Sequence, residues 1–73
     1  MHLVITFHST AEAMILEQLF KEQYLPGRLI PVPSSLRAGC GLAWMAPAEA
    51  ADLIITFINQ SGIAHDSIHK HIL

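Results

Sequence analysis

Cys40 is the only cysteine of the chain, and it stands between Gly39 and Gly41. Flanking glycines permit positive-φ backbone, which can turn successive N–H groups toward a single anion. A thiolate or a persulfide is such an anion, and Arg37, three residues earlier, brings a positive charge into the same loop. Stabilising the anion raises the fraction of sulfur that reacts. Gly39, Cys40, Gly41 and Arg37 are therefore the candidate reactive set, and their chemistry is sulfur-centred. A second reading uses the same residues: free cysteines are among the most buried residue types, and a small side chain at the start of a strand can be plain packing. The residues alone leave both readings open.

Other constellations are weaker. Alternation places His65, His69 and His71 on one face of a C-terminal strand, but His65 and His69 would stand about 13 Å apart at about 3.3 Å per residue, too far to share an ion without a bend. His69 and His71 are closer and could supply half of a site between chains. A metal carrier built on Cys40 and histidines lacks the paired cysteines that soft metals favour. No metal and no cofactor is expected. His2 and His8 mark the ends of the first strand, where surface roles are ordinary. Glu12 and Glu17 belong to a helix cap and surface, and Gly39-Cys40-Gly41 is too short for a nucleotide loop, so hydrolase and nucleotide functions are unsupported. Trp44 and Phe57 read as core.

The elements that must position Cys40 follow from hydrophobic period and punctuation. Leu3, Ile5 and Phe7 alternate with His2, Val4 and Thr6, giving a strand over 2–7 (β1). Ser9 followed by Glu12 is a capping box, and Ala13, Leu16, Leu19 and Phe20 recur at helical spacing to about residue 23 (α1). Tyr24 to Gly27 stop that helix. Residues 28–32 form a strand (β2) that, because Pro31 lacks an N–H, is short or lies at an edge. A long loop then leads through Gly41 into Leu42–Met45 (β3). Pro47 suits the first position of a second helix (α2), Glu49 and Asp52 favour its start, and Gly62 its stop. Residues 63–73 return to alternation (β4).

The order β-α-β-β-α-β predicts an α/β (α+β) fold: a ferredoxin-like two-layer sandwich with a four-stranded antiparallel sheet and two helices on one face. Residues 1–73 make a single domain, half of whose sheet surface would be left uncovered. With 73 residues, such a core buries only about 60% of the unfolded surface. One cysteine excludes an internal disulfide, so apolar packing and self-association remain. Hydrophobic residues make up 52% of the chain and charged residues 14%. Leu53, Ile54, Ile55, Phe57 and Ile58 span most of the circumference of α2, and a homodimer would bury the excess.

A net charge of −2 with four scattered Lys and Arg offers no stripe for a phosphate backbone, so nucleic acid is not an expected partner. No apolar stretch approaches the roughly 20 residues of a membrane helix, and Met1 leads straight into a strand-like run, so a cytoplasmic protein without membrane partners is expected.

At Arg28-Leu29-Ile30-Pro31-Val32-Pro33, at Ala38-Gly39-Cys40-Gly41-Leu42-Ala43 and at Thr6-Phe7-His8-Ser9, the chain resembles the selenium/sulfur (Se/S) carrier protein-like family of small bacterial domains. The likeness covers nearly the whole chain. It implies that Cys40 carries sulfur or selenium as a persulfide or selenenylsulfide, taken from a donor such as a cysteine desulfurase and passed to an acceptor protein. Such a protein is a carrier more than a turnover enzyme. In the family pattern Pro-x-Pro is commonly followed by Arg, and a Ser stands three residues before the Cys. Here Ser34 and Arg37 occupy those places, which puts the basic group elsewhere in the loop. The alternative is a non-catalytic, dimeric interaction or regulatory module in which Cys40 is merely packed.

Overall fold

The computed structural model describes residues 1–36 and 39–72. Its elements are β1 (His2–Thr6), α1 (Thr10–Glu22), β2 (Arg28–Pro31), β3 (Leu42–Pro47), a 3₁₀ turn (Ala48–Ala50), α2 (Ala51–Ser61) and β4 (Ile68–His71). The strands form one sheet in the order β2-β3-β1-β4, every neighbouring pair antiparallel. Order and pairing are those of the ferredoxin-like sandwich expected from the sequence.

Strand alternation divides the sheet into two faces. Leu3 and Ile5 of β1 with Trp44 and Ala46 of β3 turn toward the helices, where Ala13, Leu16 and Phe20 of α1 and Ala51, Ile54 and Ile58 of α2 complete the core. Phe20 lies edge-on to both Trp44 and Phe57, with ring centroids 5.3 and 5.6 Å away, so one aromatic ring ties both helices to the central strands. Of the five large apolar residues of α2, Ile54 and Ile58 are in the core and Ile55 and Phe57 pack against it. Only Leu53, 58% exposed, faces solvent. The apolar excess of α2 is thus smaller than the sequence suggested, because its broad apolar arc lies over the sheet on one side and against α1 on the other.

Local chemistry explains the element ends. Ser9 Oγ accepts the Glu12 N–H at 3.3 Å, while Glu12 Oε1 accepts the N–H of His8 at 2.8 Å, so the capping box closes one residue beyond the cap. Gly62 ends α2 with φ +70° and returns its N–H to Ile58. Two boundaries differ from expectation. Pro47 does not open α2; it continues β3 opposite His2, with an extended ψ of 144°. By that point β2 has ended, its last pair being Arg28 with Met45, so the missing N–H of Pro47 costs no bond on that side. β4 is also shorter than expected: residues 63–67 form a loop, with Ile63 buried in the core, and Ile72 is exposed beyond the strand.

β2 is an edge strand. Val32 N–H bonds the Gly41 carbonyl at 2.9 Å, so by alternation Ile30 also faces β3, and the outward positions are Leu29 and Pro31.

The expectation of an uncovered sheet face is overturned. Val4, Thr6 and Ala43 point away from the helices, yet all three are fully buried. Two segments contribute: Asp66 and Ser67 lie on Thr6, and Ser35, in the β2–β3 loop, reaches Nε2 of His71, on the opposite edge strand, with its Oγ at 3.2 Å. Residues 32–36 therefore run across the face that the helices leave free. The chain thus covers the middle of its second face, while Arg28 and Pro47 at the margins of that face stay exposed.

Candidate functional site

The start of β3 places Cys40. Gly41, with φ +76°, bends the chain just before Leu42, and the bend folds the Leu42 N–H back onto Cys40 Sγ at 3.4 Å. The neutral thiol also donates to the Leu42 carbonyl at 3.5 Å. Cys40 is half-buried, and its side chain packs against the helix-side core. Ionisation would keep the N–H contact and lose the other, so one backbone donor is the electropositive group directed at the sulfur among the described residues. Arg37 lies outside the described residues.

The two glycines do different jobs. Gly41 supplies the positive φ, with open space where a Cβ would stand. Gly39 has no positive φ; its backbone sits against the carbonyl oxygen of His8, which a Cβ would approach to 3.2 Å. The Cys40 turn is thus seated on the corner where β1 hands over to α1.

That corner is braced by His8, which stays 63% exposed as expected of a surface histidine, and by partners the sequence did not single out. The His8 imidazole stands between two carboxylates, Nδ1 at 3.2 Å from Glu12 Oε1 and Nε2 at 3.3 Å from Asp66 Oδ1. Asp66 is tied to β1 by its N–H to the Thr6 carbonyl at 2.8 Å. The buried Thr6 hydroxyl lies 2.6 Å from Ser67 Oγ and accepts the Ser67 N–H at 3.2 Å, and Ser67 Oγ meets His69 Nε2 at 2.8 Å. A polar chain therefore joins α1, β1 and the approach to β4 beneath the Cys40 turn. Glu12 at the third helical position was the one local sign of it; the partners from residues 66–69 are distant in sequence.

The histidines do not converge. His65 is in the loop before β4, its Nδ1 at 3.0 Å from the Ile63 carbonyl oxygen, while His69 is engaged by Ser67 and His71 by Ser35. No group of three metal-ligating side chains occurs among the described residues. No helix among them is long and apolar enough to cross a membrane. Trp44 is buried, its Nε1 donating to the Pro26 carbonyl at 3.2 Å.

With this geometry in view, comparison with known proteins is specific. Residues 2–70 match the sequence model of a family described as "Putative Se/S carrier protein-like". The chain belongs to this family. The match runs from β1 into β4 and takes in both helices, so the Cys40 turn lies inside the matched stretch. No curated protein and no solved structure matches the chain.

Proposed function

We propose that this protein carries sulfur or selenium on Cys40, as a persulfide or selenenylsulfide, between a donor and an acceptor protein. The observation that carries the reading is the turn itself: a half-buried sulfur at the rim of the core, with the Leu42 N–H aimed at it. Membership in the Se/S carrier-like family supports it.

The step balances without an external oxidant. Cys40 thiolate attacks the outer sulfur of a donor persulfide, the donor's S–S bond breaks, and the donor leaves as a thiolate. One neutral sulfur atom and its proton move to Cys40, and the same displacement by an acceptor thiolate unloads it. Gly41 holds the Leu42 N–H on the inner sulfur, Gly39 seats the turn, and Arg37 supplies charge from the same loop. The partners are a sulfur or selenium donor such as a cysteine desulfurase and an acceptor protein, and the protein works in the cytoplasm as a homodimer. Incubation with a cysteine desulfurase and cysteine should add one sulfur, about 32 Da, to the intact mass of wild type and nothing to Cys40→Ser. No gain on wild type, or an equal gain on the variant, counts against the carrier.

A second reading is favoured by the packing of the Cys40 side chain against the core: a non-catalytic, dimeric module in which the cysteine is structural. Alkylation separates the two, since a thiol that reacts only after denaturation is packing and one that reacts in the native protein is available for transfer.

A further inference from the structure

The His8 ring meets a carboxylate on each side. Its Nδ1 lies 3.2 and 3.4 Å from the two oxygens of Glu12, in the first turn of α1, and its Nε2 lies 3.3 Å from Oδ1 of Asp66, in the loop before β4. Both carboxylates have a second hold on the chain. Glu12 Oε1 also accepts the His8 N–H at 2.8 Å, and Asp66 Oδ2 accepts from the Thr6 hydroxyl at 3.4 Å. Among the described residues these are the ionisable groups that face the ring from the elements packed around it. Gly39 of the Cys40 turn meets His8 at its backbone carbonyl, and His65, in the same loop as Asp66, folds onto the Ile63 carbonyl.

A neutral imidazole carries one N–H and one lone pair, and only the cation donates from both nitrogens. An ionised carboxylate only accepts. Whichever tautomer the neutral ring adopts, it sets a lone pair against Glu12 or against Asp66, and that contact turns from attraction to repulsion. We propose that His8 is a proton-operated tie between α1 and the loop before β4: the charged ring holds Glu12 and Asp66 together, and the neutral ring holds one and lets the other go. Glu12 keeps the His8 backbone N–H in either state, so Asp66 is the side released. An ordinary histidine changes charge between about pH 5 and 8, a range in which ordinary carboxylates are ionised. The stabilisation is therefore present at the acid end of that range and lost as pH rises through it. The tie is a property of the fold and does not depend on the carrier reading.

The test is urea unfolding of the full chain at about pH 5.5 and about pH 8, on either side of the histidine midpoint. From the lower to the higher pH, the ratio of folded to unfolded wild type should fall by about 1.4- to fivefold more than that of His8→Gln, the span of one exposed ion pair. Glutamine offers an N–H but has no proton to lose. The other four of the five histidines are common to both proteins, so their titration cancels in the comparison. Asp66→Asn, whose amide can face either form of the ring, should shrink the pH response to that of His8→Gln. The double variant should respond like either single one, because both remove the same contact. Equal pH responses in wild type and His8→Gln, or a full wild-type response in Asp66→Asn, overturn the tie. The two substitutions lie on different elements, so either alone decides the outcome if the other fails to fold.

Discussion

Three glycines with positive φ form a matched series that isolates what the Cys40 turn needs. Gly41 (φ +76°) and Gly62 (φ +70°) both have open space where a Cβ would go. Alanine at either therefore meets only the left-handed backbone penalty, about 1–2 kcal/mol. For a domain of this size that lowers the melting temperature by about 4–16 °C. Gly27 (φ +123°) differs: a Cβ there would come within 2.5 Å of the Met45 carbonyl oxygen and overlap Trp44 Nε1. Strain of about 1–2 kcal/mol joins an overpacking cost of about 1–3 kcal/mol, for a total of about 2–5 kcal/mol. Urea unfolding should rank Gly27→Ala below the other two, which should be nearly equal. Native alkylation should then separate the equals: the strain in Gly41→Ala is relieved whenever the turn relaxes from positive φ, which loosens the Leu42 N–H from Sγ and slows the reaction by up to about twelvefold, whereas Gly62→Ala, at the end of α2, leaves it unchanged. If the two alanine variants alter alkylation alike, or Gly41→Ala reacts as fast as wild type, the turn does not tune the sulfur.

Two further substitutions probe the brace beneath the turn. Thr6→Val keeps the volume but removes the hydroxyl that accepts the Ser67 N–H and faces Ser67 Oγ; the stranded donor should lower stability by about 1–3 kcal/mol in urea unfolding. Ser9→Ala removes the helix cap on Glu12 N–H and should cost about 1 kcal/mol, measured in the same way, while leaving the Glu12–His8 contacts in place.

The order of elements was legible because each strand and helix carries its own short-range pattern. Leu3 and Ile5 alternate with polar or opposite-face neighbours, Ser9 and Glu12 announce a helix, and Pro31 marks an edge. Boundaries set by neighbours were less readable. Pro47 looks like a helix opener until its pairing with His2 is known, and residues 63–67 alternate like a strand although Ile63 turns into the core and His65 folds onto its carbonyl. The covered second face was invisible in the sequence, because Ser35 and His71 are 36 residues apart and neither has a local signature. For the same reason Cys40 and its glycines stood out as a trio, while the seat that His8 gives Gly39 did not.

Pro31 has a consequence for assembly. Its outward position leaves the free side of β2 with a single amide, that of Leu29, to offer to another chain, whereas β4 retains an ordinary open margin. Lateral addition to this sheet is therefore favoured at β4 over β2. Were copies to join margin to margin through β4, both outer sides of the pair would be proline-blunted, which disfavours growth beyond a pair.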